Sequence, residues 1–201
     1  MSGDKSARLA ALREEAAGCR ACPLWANATQ TVFGEGPPDA EMVFVGEQPG
    51  EQEDLAGRPF VGPAGRMFDA ALGESGVDRG VAYVTNAVKH FKHEPRGKFR
   101  LHKKPNAGEI KVCRRWVFSE IETIRPRIVV ALGATALQSL SGRPLPVGVN
   151  RGQVLEVEAG WRVFVTVHPS SLLRVPGEAE RAAAYTAFVA DLRKLRDAAA
   201  A

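Results

Sequence analysis

Two polar motifs have the residue types of an acid-base site. Gly46-Glu47-Gln48-Pro49-Gly50 places a carboxylate and an amide between two glycines, and His168-Pro169-Ser170 places an imidazole near a hydroxyl. A carboxylate and an imidazole that lie close together can stabilise opposite charges or move a proton. Each motif on its own is also an ordinary turn, because glycine, proline and serine are common turn residues.

The three cysteines form a second group that can do chemistry. Cys19-Arg20-Ala21-Cys22 has the two-residue spacing of metal-binding and redox pairs, and Cys113 lies far downstream. An odd count argues against a complete disulfide framework and suits a reducing compartment. The spacing leaves zinc, a redox pair and a plain turn open, since three sulfurs are too few for a four-cysteine site.

The positive charge of the chain is concentrated in one segment. The net charge is +4, but residues 89–115 hold ten Lys or Arg against Glu94 and Glu109, so the remainder of the chain is net negative. The same window contains three of the four histidines. A basic run is usually a solvated helix face. Here it separates apolar stretches, and we predict a loop that contacts phosphates.

Alternating strands and helices must position these motifs. Four apolar, β-branched runs are too continuous to be half exposed, which predicts buried parallel strands at Met42–Gly46, Val81–Val88, Ile128–Gly133 and Val163–Val167. Helices are predicted at Ser6–Ala17, Gly65–Ser75, Asn106–Ile124, Ala134–Ser141 and Gly177–Ala198. Arg151–Glu158 and Trp161–Val167 predict a hairpin across Ala159-Gly160, with an antiparallel edge strand. The fold class is therefore α/β, with three α/β/α layers and a mainly parallel central sheet.

Three loops should meet at one edge of this sheet, because ligands of open α/β sheets bind at the carboxyl ends of the strands. The Gly46–Gly50 motif follows the first strand, Asn86 ends the second, and His168–Arg174 follows the last. The glycine-rich segment Gly57–Gly65 carries Phe60, which could stack on a flat ligand or belong to the core.

The composition excludes several classes of protein. The apolar content of 45% is that of a globular protein, and no stretch approaches the ~20 apolar residues of a membrane span. The N-terminus is charged where a secretory signal would be apolar. We expect a cytoplasmic monomer that does not bind membranes, with one domain over residues 1–201.

Taken together and in order, the motifs resemble the family 4 uracil-DNA glycosylases and, within that superfamily, the UdgX group. The resemblance covers nearly the whole chain. It rests on Cys19-x-x-Cys22-Pro-Leu, Gly46-Glu-Gln-Pro-Gly50, Gly57-Arg-Pro-Phe-Val-Gly-x-Ala-Gly65, Thr85-Asn-Ala-Val-Lys-His90, Lys98-Phe-Arg-Leu-His102, Cys113 and His168-Pro-Ser170. It implies a uracil-DNA glycosylase fold and excision of uracil from single-stranded DNA, with double-stranded DNA as a second form of substrate, in DNA repair.

The resemblance also implies a [4Fe-4S] cluster. Its ligands would be Cys19, Cys22, Cys113 and His90, a position where ordinary family 4 members have cysteine. Histidine can replace cysteine on cluster iron, and this replacement is typical of the UdgX group. His93 is a rival ligand outside the motif. We interpret the cluster as structural.

The same resemblance assigns roles around the pocket. Asn86 would read uracil by accepting a hydrogen bond from N3–H and donating one to O4. His168 would donate to O2 of the departing base, and Glu47 would stabilise the sugar cation or orient the nucleophile. The other substrate-binding residues implied are Gln48, through nearby backbone N–H groups, and Phe60, Arg100 and Ser170.

The role of His102 distinguishes two kinds of glycosylase. In UdgX proteins the equivalent loop reads Lys-Arg-Arg-Ile-His, and its histidine attacks the sugar C1′ atom to give a stable protein–DNA bond. Here, in the insert Phe91–Lys104, Phe99 replaces an arginine and Leu101 replaces isoleucine. The resemblance implies covalent capture through His102. The alternatives are a glycosylase that turns over, with His102 as a phosphate-binding residue, and a non-catalytic iron-sulfur module that binds single-stranded nucleic acid.

Overall fold

Five strands form a mainly parallel central sheet. The computed structural model describes residues 2–200. Its strands are β1 (Met42–Gly46), β2 (Ala82–Asn86), β3 (His93–Arg96), β4 (Phe99–His102), β5 (Ile128–Leu132), β6 (Val154–Glu156) and β7 (Arg162–Thr166). The central sheet has the order β2, β1, β5, β7, β6, and only the β6–β7 pair is antiparallel.

The helices lie on both faces of this sheet. They are α1 (Ser2–Ala17), α2 (Glu51–Ala56), α3 (Pro63–Ser75), α4 (Ala107–Ile124), α5 (Ala134–Ser141), α6 (Val147–Asn150), α7 (Pro169–Leu173) and α8 (Glu178–Ala200). The five helices predicted from sequence are all confirmed, with shifts at most of their ends. The short helices α2, α6 and α7 were not predicted, because fewer than two turns give too little periodicity to detect.

Successive residues of the central strands enter two separate apolar layers. Phe44 of β1 packs on one side, where Phe68 of α3 and Phe188 of α8 lie in the same cluster. Its neighbour Val43 packs on the other side with Ile121 of α4. This alternation follows from the period of two along a strand. The predicted three-layer α/β/α fold with a mainly parallel sheet is confirmed.

The second predicted strand is shorter than expected. The sequence predicts a strand over Val81–Val88, but β2 pairs with β1 only from Ala82 to Asn86. β2 ends where β1 ends, at the Gly46–Asn86 pair, and its outer side forms an isolated antiparallel bridge between Val84 and Glu35. The hairpin predicted across Ala159-Gly160 is confirmed as the β6–β7 pair.

The prediction of a loop over the insert Phe91–Lys104 is wrong. β3 and β4 form an antiparallel hairpin there, and Gly97 at its turn has a φ of 59°. Glycine adopts this left-handed conformation without the steric cost that a side chain would add. In the hairpin register His93 lies opposite His102. The charged composition of the insert hid the strands, because it lacks the apolar alternation that predicts a half-buried strand.

A buried ion pair joins the end of β2 to α4. Lys89 Nζ donates to Glu120 Oε2 over 2.6 Å, and both side chains are fully buried. Glu120 also accepts hydrogen bonds from Tyr83 and Thr85, and Lys89 Nζ donates to the carbonyl oxygen of Asn86. Two charges taken out of water need partners of this kind, because an unpaired buried charge is strongly destabilising.

None of the helices described between residues 2 and 200 is long and apolar enough to cross a membrane. The monomeric state and the single domain over residues 1–201 stay predictions.

Candidate active site

A cavity of about 670 Å³ opens at the carboxyl edge of the central sheet. Seven of the eight catalytic and substrate-binding residues predicted from sequence line it, and Arg100 is the exception. The seven are Glu47, Gln48, Phe60, Asn86, His102, His168 and Ser170. The structure therefore brings together the three loops that follow β1, β2 and β7, as well as the hairpin.

Gly46 lets three pocket groups approach one point. A Cβ atom at this position would clash with Asn86 Oδ1, and it would lie 2.9 Å from Phe60 Cζ and 3.3 Å from His168 Nε2. The last residue of β1 must therefore lack a side chain. The amide, the aromatic ring and the imidazole consequently form the floor of the cavity.

The Asn86 side chain is free to bind a ligand. Asn86 ends β2 and is only 3% exposed, and the Lys89 ammonium holds its backbone carbonyl. Its side-chain amide lines the cavity and has no hydrogen bond to the protein among residues 2–200. An amide that faces a cavity without a protein partner is suited to a ligand that satisfies both its donor and its acceptor.

His168 presents an N–H group to the cavity. The backbone N–H of Ser170 donates to His168 Nδ1 over 3.1 Å, and the Ser170 hydroxyl oxygen lies 2.9 Å from the same nitrogen. In a neutral ring this leaves the proton on Nε2, the atom beside Gly46. Burial lowers the pKa of His168 to about 4. The ring is therefore a neutral hydrogen-bond donor at physiological pH.

Glu47 is a charged carboxylate beside His102. His102 Nε2 lies 3.3 Å from Glu47 Oε1, and the Thr135 hydroxyl at the start of α5 donates to Glu47 Oε2. Burial on its own would raise the pKa of Glu47, but the contacts with His102 and Thr135 outweigh it, and the net pKa is lowered. The site thus contains a neutral imidazole in His168 and an ionised carboxylate in Glu47.

Phe60 is held in an uncommon backbone conformation. Its φ is 57°, in the left-handed region, and its ring lies 6.2 Å from the His168 ring at an interplanar angle of 29°. Gly65 makes this possible, because any Cβ there would overlap the Phe60 carbonyl. Strained residues of this kind are concentrated at ligand sites. The Phe60 ring also packs on Phe68 of the core. The two interpretations from the sequence, a ring that faces a ligand and a core residue, therefore each describe part of its environment.

Gln48 and Arg100 hold the hairpin in place. Gln48 Nε2 donates to the carbonyl oxygens of Lys92 and Lys103, at the two sides of the hairpin base. Arg100 pairs with Asp54 over 2.6 Å and with Glu51 over 3.0 Å. Both side chains are therefore engaged with protein groups, and their roles in substrate binding stay predictions.

Sequence analysis missed two residues that shape the site. Glu53 accepts hydrogen bonds from the backbone N–H groups of Gly50 and Gly62, and so joins the two glycine-rich motifs. Its position three residues after Gly50 is the signal of a capping residue in the first turn of a helix. Thr135, the partner of Glu47, carries no comparable signal, because only the folded sheet brings α5 beside β1.

The predicted cluster ligands lie in one region beneath α1 and α4. Cys113 belongs to an apolar cluster against which Cys19 and Cys22 pack. Cys19 and His90 line a smaller cavity of about 300 Å³. Two N–H groups point at sulfur: Trp116 Nε1 donates to Cys19 over 3.4 Å, and the Lys89 backbone N–H donates to Cys113 over 3.2 Å. Cys19 thus belongs to both groups, because it packs against the cluster of Cys113 and lines the cavity with His90.

These residues do not form a site for a single metal ion. Across residues 2–200 no group of three or more His, Cys, Asp or Glu side chains is arranged to hold one ion. Burial raises the pKa of Cys113 to about 12 and also raises the pKa of Cys22. Cysteine and histidine are side chains that ligate iron-sulfur clusters. Hydrogen bonds to the sulfurs and apolar surroundings are also typical of such sites.

The fold and the cavity define an α/β protein whose ligand site lies at the carboxyl edge of a mainly parallel sheet. A sequence model described as "Uracil DNA glycosylase superfamily" matches residues 33–193. The type-4 uracil-DNA glycosylase of Thermotoga maritima is 43% identical over 157 residues, which cover 78% of each chain. That of Sulfurisphaera tokodaii is 35% identical over 82% of this chain and 76% of its own. A type-5 uracil-DNA glycosylase of Pyrobaculum aerophilum is 30% identical over the same shares. The chain therefore belongs to the uracil-DNA glycosylase superfamily.

We expect the His168 ring to titrate near pH 4 and to carry its proton on Nε2 at neutral pH. The reason is its burial together with the hydrogen bond from Ser170. Nitrogen-detected NMR of the histidine rings during a pH titration measures both properties, and His168→Gln identifies the signal.

The unfolded chain, with a histidine pKa of about 6.5, binds this proton first as the pH falls. The contribution of neutral His168 to the free energy of unfolding is therefore fully present above about pH 6.5, and it is lost as the pH falls towards 4. Titration near pH 6.5, or a proton on Nδ1, would contradict the assignment.

Proposed function

We propose that the chain is a uracil-DNA glycosylase that excises uracil from DNA and then captures the abasic sugar covalently through His102. Membership of the superfamily and the names of its relatives support the first part. The observation that carries the second part is the 3.3 Å contact between His102 and Glu47 at the mouth of the same cavity that contains Asn86 and His168.

The Asn86 amide would read the base. A glycosylase must take its nucleotide out of the stack or use a single strand, and the base then enters a closed pocket. The amide can accept from uracil N3–H and donate to O4, whereas cytosine presents the reverse pattern. Because Asn86 is buried without another partner, a wrong base leaves its donor and acceptor unpaired, and this costs about 1–3 kcal/mol per group.

Cleavage separates charge, and the pocket offers complementary groups on both sides. The bond between C1′ and the base nitrogen breaks with its electron pair on uracil, which leaves an anionic base and an oxocarbenium-like sugar. The Nε2–H of neutral His168 would donate to uracil O2. The ionised Glu47 carboxylate would favour the sugar cation.

Capture would follow when an imidazole lone pair of His102 forms a new bond to C1′. The uracil anion takes a proton from solvent, so atoms and charges balance. Glu47 would orient the imidazole, and the anchoring of the hairpin by Gln48 and Arg100 keeps it beside the sugar at a high effective concentration. The alkylated ring would pass its remaining N–H proton to Glu47 or to solvent, and the neutral ring is then a poor leaving group because it could depart only as an imidazolate anion. The protein would therefore act once per molecule.

The second candidate function is a glycosylase that turns over. The similarity to type-4 enzymes and the half-exposed side chain of His102 favour it, since water could reach the sugar. In that case His102 would contact phosphate. A module that binds single-stranded nucleic acid without cutting it would show neither base loss nor an adduct.

We predict that His102→Ser abolishes the adduct but retains uracil release. The substitution leaves Asn86, His168 and Glu47 in place, and the smaller side chain admits a water that Glu47 can orient. Denaturing electrophoresis and uracil release are measured together on a single-stranded uracil-containing oligonucleotide. The variant should turn over repeatedly and leave an abasic site, whereas the wild type should give a denaturant-stable band.

His93→Ser is the matched control, because His93 lies opposite His102 in the same hairpin and stacks on Phe91. It should retain the adduct. Loss of the adduct in this control, with retention in His102→Ser, would make His93 the nucleophile. Free uracil with turnover in the wild type would support the second candidate.

We further propose that Cys19, Cys22, His90 and Cys113 hold a [4Fe-4S] cluster. Its role would be structural, because glycosidic cleavage needs no electron transfer. Bound there, it would supply a covalent link between the Cys19–Cys22 turn, α4 and the segment after β2. The N–H groups of Trp116 and Lys89 that point at sulfur support this assignment. We propose DNA as the partner, single-stranded with double-stranded as a second form, and a monomeric protein.

Protein purified without oxygen should be brown and contain about four iron and four sulfide per chain, as a [4Fe-4S] cluster requires. His90→Cys should keep the iron and change the electron paramagnetic resonance spectrum of the reduced cluster, since one ligand changes from nitrogen to sulfur. His93→Cys should leave the spectrum unchanged. Stoichiometric zinc without iron or sulfide would remove the cluster and leave the glycosylase proposal intact.

A further inference from the structure

The outer face of the hairpin presents an aromatic side chain that the fold does not cover. Arg100 and His102 alternate with Phe99 and Leu101 along β4, so the first pair faces α2 and the cavity and the second pair faces away. Phe99 is 72% exposed and Leu101 is 39% exposed. A single exposed apolar side chain is ordinary, so the groups around Phe99 must indicate what it can bind.

Two cationic residues are neighbours of Phe99 in the hairpin. Arg96 lies opposite Phe99 in the hairpin register, and Lys98 precedes it at the turn. Neither side chain forms an ion pair or hydrogen bond with any residue in the described range 2–200, and both are exposed. By contrast, Arg100 of the same hairpin is fully engaged with carboxylates. The tip thus combines a flat ring with two unengaged positive charges.

We propose that Phe99 stacks on a nucleobase of the DNA strand close to the excised uracil, with Arg96 and Lys98 beside its phosphates. This rests on the proposed function. Aromatic rings flanked by cations are the usual means of holding single-stranded bases without reading their sequence, because every base has a flat face. The patch is a single ring with one leucine beside it, which suits one base and is too small for a stable protein interface.

The distance along β4 sets the reach of this contact. Phe99 and His102 are three residues apart, or about 10 Å at ~3.4 Å per strand residue. Stacked nucleotides advance by about 3.4 Å per step, so the ring lies within roughly three nucleotides of the sugar that His102 faces. Because the two side chains leave opposite faces of β4, the DNA strand would pass around the hairpin to reach both, and the contact would anchor it while the uracil occupies the pocket.

The test uses 2-aminopurine, whose fluorescence falls when it stacks on a ring. It is placed in turn at each of the three positions on either side of 2′-fluoro-deoxyuridine, which resists cleavage, in a single-stranded oligonucleotide. Wild type should quench one position strongly. Phe99→Leu keeps the apolar bulk but removes the ring, so it should lose that quenching and bind on the order of tenfold more weakly. Phe99→Trp should restore both.

Val149→Ala is the control, since Val149 is 70% exposed on α6 and does not line the cavity. It should change neither quenching nor binding. Val149→Ala should also release uracil at the wild-type rate, because the residue lies outside the proposed contact.

The experiments distinguish a failure of the proposed function from a failure of the stacking proposal. If wild type releases no uracil from an ordinary substrate, the proposed function fails. If it releases uracil but Phe99→Leu binds and quenches like wild type, the stacking proposal fails alone. A change in sedimentation of the DNA-free protein on Phe99→Leu, with DNA binding unchanged, would assign the ring to contact with a second copy and also overturn it.

Discussion

The ion pair between Lys89 and Glu120 links the two functional regions of the molecule. The Lys89 ammonium holds the carbonyl of Asn86 at the floor of the cavity, while the backbone N–H of the same residue donates to Cys113. Glu120 fixes the ammonium from α4 on the far side of β2. Because neither charge can be left unpaired in the interior, the end of β2 has little freedom to move. The position of Asn86 and that of His90 therefore depend on one interaction.

Different surroundings give the two proposed catalytic groups of the cavity different charge states. Burial and the Ser170 N–H keep His168 neutral, with its donor directed at the cavity. Hydrogen bonds from Thr135 and His102 keep Glu47 ionised despite partial burial. A neutral donor beside the leaving base and a negative charge beside the sugar are what a charge-separating cleavage needs. His102 is the one reactive side chain of this set that is carried by the hairpin.

Much of the fold and the floor of the site could be predicted from the sequence. Continuous apolar runs predict buried parallel strands. The carboxyl ends of parallel strands lie at one edge of the sheet, so Gly46, Asn86 and His168 meet there regardless of the structure of the connecting segments. The hairpin could not be predicted, because its strands are charged and its inner face binds carboxylates instead of a core. The partners of Glu47 and Arg100, which are Thr135 and Asp54, depend on contacts between segments distant in sequence. No local pattern encodes such contacts.

Covalent capture at His102 is tested most directly by locating the bond. Protein is incubated with a uracil-containing oligonucleotide, digested with nuclease and trypsin, and analysed by tandem mass spectrometry. Trypsin cuts after Arg100 and Lys103, so His102 lies in a short peptide between Leu101 and Lys103. We predict a sugar-derived mass on the His102 imidazole, in an amount equal to the uracil released. An unmodified His102 peptide, together with many equivalents of uracil per protein molecule, would contradict covalent capture.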